Sequence, residues 1–138
     1  MSNLKKSILF LCTHNSARSQ IAEALINRFF SDKYEAYSAG TKPTKLNPFA
    51  VKSMSEIGVG IESHYSKTVE EFERRHFNYV VTVCDNAREG CPVYQNTEMV
   101  LHKSFEDPSF FEGDDEQKFE KFNAVRDEIK KWLENTFT

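Results

Sequence analysis

A cysteine and an arginine separated by five residues stand near the start of the chain, in Cys12-Thr13-His14-Asn15-Ser16-Ala17-Arg18-Ser19. A loop of this length, set between a strand and a helix, can wrap its backbone N–H groups around a tetrahedral oxyanion. The helix N-terminus supplies unpaired donors and the positive end of a dipole. Residues Thr13 to Ser19 would form that cradle, and Arg18 would close it with a bidentate fork onto two oxygens, a geometry lysine cannot reproduce. The field of such a loop favours the thiolate, the form of cysteine that attacks, so Cys12 is the candidate nucleophile. Singly, these residues say less: a cysteine at a strand end is commonly a small buried hydrophobe, Arg18 could be a solvated helix residue, and Ser19 an N-cap. The joint arrangement carries the reading.

Two more thiols lie far along the chain, in VVTVCDNAREGCPV, with six residues between Cys84 and Cys91. A zinc site would want four ligands, usually paired two to four residues apart. Three cysteines and His14 could supply four, but their spacing is wrong and one would be the nucleophile. A redox reading uses all three sulfurs, because a disulfide forms by thiolate attack and then moves by exchange to a third thiol. Asp107-Pro108 lies in an acidic stretch near the C-terminus; alone, such a pair is a turn. Glu106, Glu112, Asp114 and Asp115 read as a solvated face.

These groups need elements to position them. Ser7–Leu11 is an apolar run suited to a central strand buried on both faces, and Ile21, Ala22, Ala24, Leu25, Ile26 and Phe29 recur with a helical period after the polar loop. Tyr34–Ala39 reads as a second strand ending at Gly40, followed by a loop over residues 41–46. Asn47 as N-cap and Pro48 in the first helical position predict a helix over 48–57, ended by Gly58. Thr68 with Glu71 is a capping-box pattern predicting a short helix to about Arg75. Tyr79–Val83 is a buried strand ending at Cys84, and Met99–Leu101 a last short one. Phe119, Phe122, Val125, Ile129, Trp132 and Leu133 mark one face of a C-terminal helix. The alternation predicts an α/β fold with a four-stranded parallel sheet flanked by helices on both faces. Ligands of such sheets sit at the carboxyl ends of the strands, where Cys12 and Cys84 both fall.

Length and composition bound the rest. A chain of 138 residues fits a single domain over 1–138, and a formal charge of −3 removes the broad basic footprint of a nucleic-acid binder. Three cysteines, an odd number, in a chain of this size argue against a secreted disulfide framework. The apolar run Ile8–Leu11 is too short for a signal-peptide core or a membrane span. A cytoplasmic monomer without membrane or nucleic-acid partners is the expectation.

CTHNSARSQIAEA resembles the loop and first helix of the low-molecular-weight tyrosine phosphatase fold, and within it the thioredoxin-coupled arsenate reductases. The resemblance implies that Cys12 attacks the oxyanion, Arg18 binds it, Asn15 fixes the loop and Ser19 hydrogen-bonds the thiolate. It also implies that Cys84 and Cys91 flank a mobile redox segment, and that Asp107 is the general acid. The implied reaction is reduction of arsenate to arsenite by a relay from Cys12 through Cys84 to Cys91, with thioredoxin as reductant and no cofactor. The family often binds potassium beside the loop; Glu23 and Ser38 match two contributors, but Lys67 stands where a carboxylate is expected. A competing reading is a phosphotyrosine phosphatase acting through a Cys12 phosphocysteine, with Phe110 and Phe111 flanking the substrate ring. Another is a thiol-based redox or oxyanion sensor without turnover.

Overall fold

The structure, a computed structural model, describes residues 4–84 and 94–137. The run Ile8–Leu11 forms the centre of β1 (Lys6–Cys12), which is buried from Ser7 onward. With β2 (Tyr34–Gly40), β3 (Phe77–Thr82) and β4 (Thr97–His102) it builds a four-stranded sheet in the order β2-β1-β3-β4, every adjacent pair parallel. The third strand begins and ends earlier than its β-branched run implies. The fourth is longer than Met99–Leu101, because Thr97 and His102 also pair with β3.

Register explains what gathers at one end of this sheet. Cys12 lies opposite Gly40, Leu11 opposite Thr82, and Thr82 opposite His102. Pairing persists beyond the strands: Val83 N–H donates to Leu11 O at 2.9 Å, Lys103 N–H to Thr82 O at 3.0 Å, and Phe105 N–H to Val83 O at 3.3 Å. The carboxyl edge therefore delivers Cys12, Cys84 and the approach to Asp107 together.

Side chains alternate across β1. Ile8, Phe10 and Cys12 share a core with α1 (Arg18–Phe29), α2 (Pro48–Glu56) and α3 (Asp115–Thr136), through residues such as Ile21, Leu25, Met54, Phe122 and Ile129. Leu9 and Leu11 face the other way, into a cluster with Val80, Phe77, Tyr37, Phe72 and Tyr94. The Tyr94 hydroxyl lies within hydrogen-bond reach of the carbonyls of Phe72 and Arg75. Burial pushes its phenol above the ordinary value of 10.0.

The helix signals in the sequence fared differently. Asn47 does cap α2, its side chain accepting from Phe49 N–H at 2.8 Å with Pro48 first in the helix, and Gly58 follows with φ +78°. The expected helix from Thr68 to Arg75 is instead a single 3-10 turn, Val69–Phe72; the Thr68 side chain accepts from Glu70 N–H, and no capping box forms with Glu71. A 3-10 turn aligns positions three apart, and this one seats Val69 and Phe72 together on the second core. The C-terminal helix starts before its first apolar residue because Asp114 and Gln117 make a reciprocal capping box. Among the described residues no helix is long and apolar enough to cross a membrane.

Candidate active site

Residues 12–18 leave the end of β1 and turn directly into α1, which begins at Arg18 without a side-chain N-cap. Ser19 is inside the helix and does not cap it. The carbonyls of the loop show how it is held. Thr13 O accepts Lys42 N–H at 2.9 Å, His14 O accepts Thr44 N–H at 3.3 Å, and Ser16 O accepts Asn47 N–H at 2.9 Å. Asn15 O accepts from Ser66 Oγ at 2.8 Å and Gln20 Nε2 at 3.2 Å, and Ala17 O takes Ile21 N–H at 2.8 Å. In a trans peptide the C=O of one residue and the N–H of the next point opposite ways, and no peptide here is cis. With carbonyls turned outward, the N–H groups of His14, Asn15, Ser16, Ala17 and Arg18 turn inward. The Asn15 N–H shows the result directly, reaching Cys12 Sγ at 3.2 Å.

Asn15 is the keystone of this turn. It has φ +52°, the only non-glycine residue with positive φ among those described, a conformation asparagine tolerates better than most. Its fully buried side chain donates to Ser19 Oγ at 2.7 Å and to Ser38 Oγ at 2.9 Å, and accepts from Lys67 N–H at 2.8 Å and Gln20 Nε2 at 3.0 Å. Ser19 Oγ in turn sits 2.8 Å from Cys12 Sγ. Since Asn15 Nδ2 donates to Ser19, the serine's own proton is available to the sulfur. Gly40 makes room for the turn: a Cβ there would lie 2.4 Å from Thr13 O.

Arg18 is 3% exposed yet carries its guanidinium to Asp107, with Nη2 3.3 Å from Oδ2, while Nη1 donates to Phe105 O at 3.2 Å. Asp107 is itself fixed, because its Oδ1 accepts from Ser109 N–H at 2.9 Å and Ser109 Oγ at 2.7 Å. Phe105, buried edge-on against Trp132, anchors the backbone just before it. One loop thus carries the Cys12 thiol at its start and, at its end, the arginine that reaches Asp107. Phe110, three residues past Asp107, is 67% exposed, while Phe111 lies under the Lys121 ammonium. Glu106, Glu112, Asp114 and Asp115 are exposed.

Cys84 lies fully buried in the same core cluster as Cys12, two residues past the end of β3. Of the two described cysteines, Cys84 is disulfide-bonded and Cys12 is a free thiol. Cys91 and the rest of the segment 85–93 lie outside the described residues.

Glu23 and Ser38 meet, with Ser38 Oγ donating to Glu23 Oε1 at 2.5 Å. Lys67 Nζ stands 3.8 Å from that carboxylate and donates to Tyr65 O at 3.0 Å. A positive charge is already in place beside Glu23, so these residues do not fit a potassium ion. Among the described residues no three His, Cys, Asp or Glu side chains converge as metal ligands. Sequence reasoning missed the outer support of the loop: Gln20, Ser66 and the segment 41–47. Gln20 was legible only as a polar residue in the buried first turn of a helix.

A family model for low molecular weight phosphotyrosine protein phosphatases matches residues 7–138. An arsenate reductase of Halalkalibacterium halodurans is 42% identical over 127 residues, covering 92% of this chain and 91% of that protein. The solved structure of an arsenate reductase in its phosphate-binding state superposes with a TM-score of 0.77 at 30% identity, over 94% of this chain and 95% of that one. A thioredoxin-dependent arsenate reductase of Corynebacterium glutamicum matches with a TM-score of 0.66 at 27% identity, over 99% of this chain and 65% of that one. The chain belongs to the low molecular weight phosphotyrosine protein phosphatase family, and within it to the arsenate reductases.

Proposed function

We propose that this protein reduces arsenate to arsenite, with Cys12 as nucleophile and Cys84 and Cys91 as resolving thiols. The observation that carries the reading is an amide-lined loop that starts at Cys12, held by Ser19 and Asn15, and ends at Arg18, whose guanidinium reaches Asp107. Arsenate would bind on the inward N–H groups of the loop and on Arg18, which gives up its contact with Asp107 to the anion. The Cys12 thiolate attacks arsenic while Asp107, whose carboxylate takes up a proton from solvent once it is freed from Arg18, passes that proton to the departing hydroxyl, so that water leaves and a sulfur–arsenic bond forms.

Cys84 then attacks Cys12 Sγ. The sulfur–arsenic bond breaks with its electron pair on arsenic, arsenite is released, and a Cys12–Cys84 disulfide remains. Cys91 attacks Cys84 Sγ, Cys12 leaves as a thiolate, and the disulfide passes to the Cys84–Cys91 pair. A dithiol reductant of the thioredoxin class returns two electrons and two protons. A free Cys12 beside a disulfide-bonded Cys84 is the thiol state that the exchange step would leave, which supports this order. The need for reduced thiols favours a cytoplasmic setting, and a monomer carries every residue that the scheme uses.

Steady-state assays with arsenate, thioredoxin, thioredoxin reductase and NADPH should give one arsenite per NADPH consumed. A Cys91→Ser variant should stop after at most one arsenite per chain with Cys12 and Cys84 cross-linked. Repeated turnover by that variant with thioredoxin as sole reductant would overturn the relay. The exposed Phe110, three residues past Asp107, favours a secondary activity on aryl phosphates. It should appear as slow phosphate release that survives Cys84→Ser and is lost in Cys12→Ser.

A further inference from the structure

The segment 41–47 carries three of the N–H groups that hold the carbonyls of the anion loop, yet its first five residues are all exposed. Only at Leu46 does it reach the core. Backbone bonds from Lys42 and Thr44 alone would leave such a strip loosely held, since exposed bonds of this kind open readily. One side chain of the anion loop reaches back to it: His14 Nδ1 lies 3.0 Å from Lys42 O. A carbonyl oxygen can only accept, so Nδ1 is the protonated nitrogen of the ring. The exchange between the two segments is then reciprocal. Lys42 gives its N–H to Thr13 O and accepts a hydrogen bond from His14 Nδ1 on its own carbonyl, while the carbonyl of His14 accepts the N–H of Thr44.

We infer that His14 is a positioning residue for oxyanion binding. Its ring clamps residues 41–44 onto the loop, keeping the carbonyls of Thr13 and His14 outward and the N–H groups of His14 and Asn15 inward. The inference deepens the proposed function by assigning a determinant of oxyanion affinity. It rests on the reading of residues 12–18 as an oxyanion loop and is independent of the thiol relay. Because Nδ1 donates whether or not Nε2 is protonated, the role depends on a donor and not on a charge.

The test compares His14→Ala with His14→Asn, whose amide nitrogen can take the place of Nδ1, using arsenate kinetics and equilibrium dialysis against inorganic phosphate. His14→Ala should raise the KM for arsenate and the Kd for phosphate together, by roughly three- to tenfold, with kcat changed less than twofold. His14→Asn should restore both to near wild type. Thr44→Pro removes a backbone donor of the same clamp with His14 intact, and should show the same KM signature should His14→Ala fold poorly. An unchanged phosphate Kd in folded His14→Ala would overturn the inference, as would an unchanged Kd in Thr44→Pro should His14→Ala fold poorly. So would a His14→Asn variant as impaired as His14→Ala, because the ring's charge or shape would then be what matters. If the wild type binds phosphate but forms no arsenite, the reduction reading fails while the phosphate measurements still decide this one.

Discussion

The guanidinium of Arg18 and the carboxylate of Asp107, 89 residues apart in sequence, face each other at 3.3 Å with both side chains largely buried. The group proposed to bind the anion and the group proposed to supply the proton are thus direct partners. In the proposed reaction the anion takes donors of Arg18 away from Asp107, which leaves the carboxyl group free to meet the departing oxygen.

Substitutions at the two positions should therefore split binding from chemistry. Arg18→Lys keeps the charge but loses the fork, and should weaken phosphate binding by roughly tenfold to a hundredfold. Asp107→Asn should slow formation of the Cys12 adduct by about 10²–10⁴-fold. It should not weaken phosphate binding, since a carboxylate competing for Arg18 has gone. Rapid-quench kinetics together with equilibrium dialysis separate the two effects.

Gly40 offers a test that touches no reacting group. A methyl at this position meets Thr13 O at 2.4 Å, and the obstacle is backbone, which cannot swing aside as a side chain would. The loop must shift, and Gly40→Ala should lower kcat/KM for arsenate by about 10²-fold through misplacement alone. A variant with near wild-type kcat/KM would show that the loop tolerates displacement.

Asn15 combines a backbone role with a side-chain role, and two replacements separate them. Asn15→Gly keeps φ +52° accessible but removes the bonds to Ser19, Ser38, Gln20 and the Lys67 amide. Asn15→Ala loses both. Urea denaturation should show Asn15→Ala destabilised by about 2–4 kcal/mol, and Asn15→Gly by about 1 kcal/mol less. Equal midpoints for the two variants would mean that the backbone conformation costs nothing here.

The Lys67 ammonium beside Glu23 bears on salt dependence. Replacing sodium by potassium at constant ionic strength should leave the arsenite rate unchanged. A severalfold rise on adding potassium would show that a cation enters despite the lysine.

Particular residues show why some of this architecture was legible in the sequence and some was not. Ile8–Leu11 and Asn47-Pro48 act locally, through burial on both faces and through one capping bond, so sequence alone places β1 and α2. Thr68 and Glu71 carry an equally local signal that tertiary packing overrides, because seating Val69 and Phe72 on one core needs a 3-10 turn. Cys12, Arg18 and their spacing announce an anion loop, but its outer support comes from Lys42, Thr44, Asn47, Gln20 and Ser66. Most of these act through backbone N–H groups, or through polar side chains of ordinary kinds. Nothing in residue type marks such roles, and only the register that sets Gly40 beside Cys12 brings them together.

The most direct test of the central claim is a single turnover followed by mass. Fully reduced protein is mixed with arsenate without thioredoxin, arsenite is quantified, and the intact mass is read after alkylation. The account predicts one arsenite per chain and one alkylated thiol, with two cysteines protected as a disulfide and released by added thioredoxin. Three alkylated cysteines and no arsenite would contradict it.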